Sequence, residues 1–590
     1  MDLFSYPFKS NELFRSRKKI KKALAPRAKR ELKIHVLSGA TVGELSDLIE
    51  VFLLRFGIQA EISVGDYNQF YEEALFGGQV ELTAPDWVYV HTSIKNIRRF
   101  PKIFESQNEI STLIETEVKR ITDVASKMAS SGRKVIINTV EMPELRVMGG
   151  VSATRSDGSV NFVRKINEKI VEFVEENDAV FLNDIEYQSS VVGLDRWYDW
   201  NYWSAFKYPY SPEVFPWVAS SIASTIASAE GASKKLLVCD LDNTLWGGVI
   251  GDEGPDQLKL GPDTPKGEMF LQVQSYLSVL KDRGVALAVN SKNELNLAEA
   301  GFDLESSALS RDDFAAFYAN WKPKSDNIKD IAAGLNLGTD SFVFIDDNKA
   351  EIQEVNLNCP EVLAVSYDKN PIELIRQIDR SGFFDPNTIS TEDAKRTDYY
   401  KKNQRRKQLE TQASSIEGYL SSLNMISNIF DVEASSLERV VQLINKTNQF
   451  NPTTSRTDHD QLRNRITSRD HIVLAAKLSD QFGDSGIVSA LEAKLDGNNA
   501  TINTWVMSCR VFNRTLEYAI FDMFVERCKA HGVNTISAKY ISSAKNKYVK
   551  NLYSKLGFDV VEDIAEEKIY KYFVSNSKAK LNKHIEIKYG

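Results

Sequence analysis

The stretch that most limits what this chain can fold into is LLVCDLDNTLWGGVIG, Leu236 to Gly251. A short apolar run, of the kind found in strands buried on both faces, ends in two aspartates two residues apart. Burying one carboxylate is costly unless something pairs with it. Two side by side repel, which raises the cost. The sequence therefore calls for a cation or an anion-handling reaction at the C-terminal edge of a parallel sheet, where ligands of open α/β folds bind. Side chains two apart on an extended segment point the same way, so Asp240 and Asp242 are expected to face one pocket.

Three further signals follow in order. LAVNS ends a strand with Ser291, a hydroxyl suited to a phosphoryl oxygen, and NSKNE continues it with Asn293. NWKPKSDNI places Lys322 and Lys324 at a helix start, where positive charge and backbone N–H groups both favour an anion. FVFIDDN ends another strand with Asp346 and Asp347, oxygen ligands for a hard cation such as Mg2+.

This order and spacing resemble the haloacid dehalogenase (HAD) superfamily. The strings DLDNTLWGGVIGDEG, NSKNE, NWKPKSDNI and FIDDNKAE resemble its FkbH-like group. The resemblance implies Asp240 as nucleophile and Asp242 as general acid and base. It implies Thr244, Ser291 and Asn293 as substrate-binding residues, with Lys324 neutralising the phosphoryl charge and Lys322 as the alternative lysine. It implies Asp240, Asp242 (through its backbone carbonyl), Asp346 and Asp347 around Mg2+. Between the first motif and KGEMFLQ there is room for a hairpin flap but no cap domain. Cys239, next to Asp240, is expected to point away from it into the core; the alternative is a thiol that carries an acyl group.

The rest of the chain sets the frame. At 590 residues it should hold roughly three to four domains of about 150 residues. A net charge of −8 argues against nucleic acid as the main partner. The four cysteines form no CxxC pair, no apolar run is long enough to span a bilayer, and the N-terminus lacks a signal-peptide core. A cytoplasmic protein is expected. Arg15 to Arg30 has no acidic residue; it reads as a solvated helix face and linker, with a patch for an anionic partner as the alternative.

Four segments are expected. Residues 1–230 alternate short strands and helices, an α/β domain of flavodoxin-like or SGNH-hydrolase-like type. Its VLSGAT opening, with Ser38, faintly resembles the SGNH fold, but LDRWYDWNYWSAF offers Asp195 and Asp199 without a histidine, and His35 and His91 lie far earlier. A catalytically silent docking domain is expected. Residues 231–390 form the HAD domain, a Rossmann-like parallel sheet with a minimal cap.

Residues 391–575 open with the charged helix TEDAKRTDYYKKNQRRKQLE and continue as a meander, helix, strand, helix and strand pair. That order resembles the GNAT acyltransferases, an α+β fold. The resemblance puts a CoA-cradling turn at RVFNRT, which here has no glycine; Arg510 and Arg514 are the candidates for a phosphopantetheine or CoA phosphate, and Tyr553 for a general acid. NKTNQFNPTTSR and DQFGDSG read as a polar site or as turns. Residues 576–590 form a basic tail expected to fray.

The resemblance implies an enzyme that starts from an acyl phosphate such as 1,3-bisphosphoglycerate. It removes phosphate and loads the glyceryl unit onto a carrier-protein or other CoA-type thiol for polyketide or surface-glycan synthesis. The alternatives are a plain Mg2+-dependent phosphatase with a separate acyltransferase domain, and a non-enzymatic scaffold that docks a carrier protein.

Overall fold

The computed structural model describes residues 2–367, 370–389, 394–543, 545–564, 566–576 and 580–589. The chain divides into two compact units, residues 1–397 and 398–590. No helix of the described residues is long and apolar enough to cross a membrane.

The first unit contains two parallel sheets. One runs β2-β1-β3-β4-β5, from β1 (Arg30–Ser38), β2 (Ile58–Val64), β3 (Trp87–His91), β4 (Lys134–Asn138) and β5 (Val180–Asn183). The other runs β10-β9-β6-β7-β8, from β6 (Leu236–Cys239), β7 (Ala286–Ser291), β8 (Phe314–Ala319), β9 (Phe342–Asp346) and β10 (Leu363–Ser366). All pairings in both are parallel. Their strands are apolar runs because helices cover both faces. In the second sheet β6 is central and fully buried, flanked by β9 and β7. The aspartates of β6 and β9 and Ser291 of β7 thus arrive at one edge.

The two sheets are joined by polar contacts of buried cations. Lys234 donates to the Arg55 carbonyl at 3.3 Å and to the Asp340 carbonyl at 2.6 Å, and Arg55 is itself anchored in the layer of the first sheet by donating to Ser220 and Ser224 of the helix Phe215–Ala229. Burial lowers Arg55 to a pKa of about 9, against the pull of Asp385. In the basic helix Ser10–Leu24, Arg17 and Lys21 pair with Asp47, and Lys21 also with Glu50, while Leu13 packs inward.

The second unit is an eight-stranded α+β sheet in the order β16-β17-β15-β14-β13-β12-β11-β18. Its strands are β11 (Met425–Asp431), β12 (His471–Asp480), β13 (Gly483–Asp496), β14 (Asn499–Met507), β15 (Thr535–Ile541), β16 (Asp559–Ile564), β17 (Glu567–Phe573) and β18 (Ile585–Tyr589). The meander β11 to β14 is antiparallel and leads into the helix Leu516–Ala530. Within the tail, where fraying is expected, Ile585–Tyr589 pairs in parallel with β11 and covers the edge of the sheet. The charged helix spans Arg396–Gln412; the expected start, Thr391 to Asp393, lies outside the described residues.

β14 and β15 pair only from Asn499↔Thr535 to Ile502↔Ala538 and then part. The segment FNPTTS lies against both beyond that point. Met507 N donates to the Phe450 carbonyl, Ile541 N to the Pro452 carbonyl, and Thr453 Oγ1 to the Asn503 carbonyl.

Candidate functional site

At the edge of the second sheet, β6 ends and Asp240 follows, its N–H donating to the Ile345 carbonyl of β9 at 3.0 Å. Asp346 closes β9. Lys324, the first residue of the helix Lys324–Leu335, lies between them. Its Nζ is 2.6 Å from Asp240 Oδ1 and 2.5 Å from Asp346 Oδ2. All three side chains are buried. Lys322, the alternative, is 65% exposed and lies 3.7 Å from Asp330. The helix start is fixed by Asn290 of β7, whose Nδ2 donates to the Lys324 carbonyl, and by Asn327, which donates to Asn290. These asparagines were missed in the sequence; the NS of LAVNS was the available sign.

One ammonium against two buried carboxylates leaves net negative charge. Burial, then the charge of Asp240, hold Asp346 up at about 7. Burial raises Asp240 as well, against the pull of Lys324. Burial opposes the Lys324 ammonium, but the two aspartates outweigh it and keep its pKa above the ordinary value. Asp240, Asp346 and Asp347 each offer an oxygen within 4.8 Å of one another. A cluster of hard oxygen donors with excess negative charge fits Mg2+.

Asp242 departs from the expectation. Its carboxylate does not join that cluster. Oδ1 accepts from Trp246 Nε1 at 2.9 Å and from Ile250 N at 3.1 Å, and Oδ2 from Asn293 Nδ2 at 2.9 Å. The reason is local. The strand stops at Cys239 and Asn243 adopts a left-handed φ of 54°, so the alternation of an extended strand does not reach Asp242. Asn293 also donates to Ser291 Oγ at 3.1 Å, which makes it a partner of two site residues. The Thr244 hydroxyl is buried and makes no hydrogen bond of good geometry among the described residues; Tyr367 is its polar neighbour. The flap is a bridge between Gly247 and Lys259 carrying the short helix Ile250–Glu253. Cys239 is fully buried in the apolar core, and burial pushes its thiol pKa up.

In the second unit the expected phosphate residues are otherwise engaged. Arg514 is buried, with Nη1 3.1 Å from Asp480 and Nη2 2.8 Å from the Arg510 carbonyl. Arg406 grips the same Asp480 with two bonds, at 2.7 and 2.9 Å. The Arg510 guanidinium lies 5.2 Å from the Tyr399 ring centroid. Tyr553 is 1% exposed, among Trp505, Phe558 and Tyr570. Its hydroxyl has no partner among the described residues, and burial raises its pKa. Asn513 and Thr515 hold left-handed φ values of 62° and 61° at the turn that lacks glycine. Arg514 turned inward, Tyr553 sealed in the core, and FNPTTS bonded to both parted strands do not fit a CoA or phosphopantetheine group held as the GNAT resemblance implied.

In the first sheet, Ser38 and His91 are register partners on β1 and β3, which their separation in sequence had hidden. They do not bond to each other. Ser38 donates to the Ala40 carbonyl, and His91 Nε2 meets Tyr210 at 2.8 Å. Burial lowers His91 to about 3, so its ring is neutral. Asp199 caps the helix Trp200–Phe206 instead of approaching Ser38.

Fold and site together define a multidomain α/β protein with two parallel sheets, a buried lysine–aspartate cluster at the edge of the second, and a separate α+β unit. Residues 36–227 match the family model described as FkbH, N-terminal domain. The structure is similar to the N-terminal part of a Bacteroides fragilis protein that contains a phosphatase domain and was solved complexed with Mg. That match has a TM-score of 0.57 and 24% identity, and covers 64% of this chain and 99% of that one. Ribosomal-protein-S18-alanine N-acetyltransferase from Escherichia coli matches with TM-score 0.21 and 12% identity, over 27% of this chain and 100% of that one. An acetyltransferase of the GNAT family from Staphylococcus aureus Mu50 matches with TM-score 0.21 and 14% identity, over 25% and 99%. No curated protein matches the chain.

Proposed function

We propose that the second sheet carries a Mg2+-dependent phosphoryl-transfer site acting on an acyl phosphate such as 1,3-bisphosphoglycerate, whose glyceryl unit passes to a carrier-protein thiol for polyketide or surface-glycan synthesis. The placement of Lys324 Nζ between Asp240 and Asp346 carries this proposal.

Asp240 is the proposed nucleophile. Its oxygen bonds to phosphorus as the bond to the leaving oxygen breaks, and water then cleaves the aspartyl phosphate. Asp242 is proposed to give a proton to the leaving oxygen and to take one from that water. Thr244, Ser291 and Lys324 are proposed to hold the phosphoryl oxygens, since this chemistry depends on positioning and charge stabilisation. Mg2+ on Asp240, Asp346 and Asp347 would offset the repulsion between Asp240 and an anionic substrate. Attack at phosphorus cannot itself make a thioester. For that, the acceptor sulfur must bond to the acyl carbon as the acyl phosphate C–O bond breaks and phosphate leaves. Asp240 then serves the second, ester-linked phosphate of such a substrate. A flap without a cap domain suits a site that a carrier's arm approaches.

The alternative, a plain phosphatase on a small phosphorylated metabolite, is favoured by the engaged Arg514 and the sealed Tyr553. Phosphate release by wild type and Asp240→Asn, with mass spectrometry of a carrier protein incubated with 1,3-bisphosphoglycerate, separates these. Asp240→Asn should lose roughly 10³-fold or more, about 4 kcal/mol in barrier height. Near-wild-type release by that variant would leave the carrier-docking scaffold as the better account. Release without a thioester on the carrier would leave the plain phosphatase.

A further inference from the structure

We propose that Trp246 is a positioning residue that sets the orientation of the Asp242 carboxylate; the proposal rests on the role given to Asp242 above. Three N–H groups meet that carboxylate, and they differ in how they are held. Ile250 N belongs to the flap, and Asn293 lies in the loop after β7. The indole of Trp246 is fixed by the core. It is fully buried and meets Phe302 edge to face at 5.1 Å. A Cβ on Gly301 would come within 2.6 Å of the ring, so the residue at 301 must be this small for the indole to lie where it does. An immobile ring with its N–H aimed at Oδ1 at 2.9 Å favours the orientation of Asp242 that keeps this charge-assisted hydrogen bond. Trp246 also begins the flap, since Gly247 makes the bridge to Lys259. The flap's entry and the direction of the proposed acid are therefore set by the same side chain. A mispositioned acid is felt most where the leaving group needs its proton.

The test is Trp246→Phe, which keeps an aromatic ring against Phe302 and removes the donor. Phosphate release is measured from an alkyl phosphate and from acetyl phosphate, with kcat and KM separated. The ratio of alkyl-phosphate to acyl-phosphate kcat should fall tenfold or more, with KM for the alkyl phosphate within about twofold. In an Asp242→Asn background the same substitution should cost less than about twofold further. An equal loss on both substrates, or an undiminished loss in the Asp242→Asn background, would overturn the proposal in favour of a packing role. A second readout needs no turnover. The indole N–H resonance of Trp246 in ¹⁵N-labelled protein should shift between wild type and Asp242→Asn, and an unmoved resonance overturns the proposal as well. If wild type releases phosphate from neither substrate, it is the phosphatase assignment that fails, and the resonance decides the role of Trp246.

Discussion

Replacing Lys324 by Met keeps the length of the side chain and removes its charge. Its Nζ now sits 2.6 and 2.5 Å from two carboxylates that are almost wholly buried. Removing the cation of a buried pair costs about 3–5 kcal/mol, because the remaining charge is left without a partner. The cost depends on pH with a definite sign. Asp346 titrates at about 7 in the folded chain, against 3.8 as its ordinary value, chiefly through burial. A carboxyl raised on folding favours the folded state at low pH, and this contribution is lost as pH rises through about 7. At about 1.4 kcal/mol per pH unit, that interval corresponds to ~4 kcal/mol. In Lys324→Met at pH 5, a protonated Asp346 needs no cation and Asp240, also raised by burial, is closer to taking up a proton, so the deficit should be smaller than at pH 8. At pH 8 the carboxylates are ionised to a greater extent and a larger deficit, up to about 3–5 kcal/mol, should appear. Millimolar Mg2+ should recover much of it at pH 8 by binding the folded state alone. The assay is urea unfolding followed by tryptophan fluorescence, in EDTA at both pH values and then with Mg2+ at pH 8. An equal deficit at pH 5 and pH 8, or no recovery with Mg2+, would refute the view that this edge holds a buried excess of negative charge.

Tyr553→Phe removes a buried hydroxyl that has no partner among the described residues, so thermal melting should be unchanged or improved, by up to about 1 kcal/mol. A clear loss would mean that the hydroxyl makes a bond in solution. Iodoacetamide on the native protein should label the exposed Cys509 and spare Cys239, Cys359 and Cys528, which are buried, with Cys528 also raised to about 12 by burial. Peptide mapping by mass spectrometry reads this directly, and native labelling of Cys239 would reopen its role as an acyl carrier.

What was legible in the sequence was the part fixed by strand ends. An apolar run buried on both faces can stop only at the edge of the sheet, so LLVC, LAVNS and FVFID gave away β6, β7 and β9 and placed Asp240, Ser291 and Asp346 together. The Asp242 carboxylate lies apart from that of Asp240 because the rule that places side chains two apart on one side holds only while the chain stays extended, and here it turns at Asn243. Arg514 and Tyr553 were misread for another reason. Whether a side chain faces a cleft or the core depends on partners distant in sequence. Asp480 lies 34 residues from Arg514 and captures it. Ser38 and His91 show the converse, neighbours across β1 and β3 that the linear sequence keeps apart.

Two of the buried charge clusters among the described residues differ in a way that bears on function. At the edge of the second sheet, one lysine faces Asp240 and Asp346, with Asp347 beside them, so negative charge exceeds positive charge. In the second unit, Arg406 and Arg514 face the single Asp480, so positive charge exceeds negative. Each imbalance costs free energy in a low-dielectric setting and needs an answer. For the arginines part of the answer is internal, since Arg514 also donates to the Arg510 carbonyl and Arg406 closes a two-bond grip on the carboxylate. Those contacts tie the helix Arg396–Gln412 to the hairpin of β12 and β13 and to the turn before the helix Leu516–Ala530, which is structural work. For Asp240 and Asp346 the shared cation among the described residues is Lys324, and Asp346 also accepts from Asn348 N. The Thr244 hydroxyl beside them is left without a hydrogen bond of good geometry, and the flap leaves the edge without a cap domain. An imbalance that the fold answers from within reads as architecture. One that it leaves to be answered by a divalent cation reads as a site, and this contrast favours the second sheet over the α+β unit for the proposed chemistry.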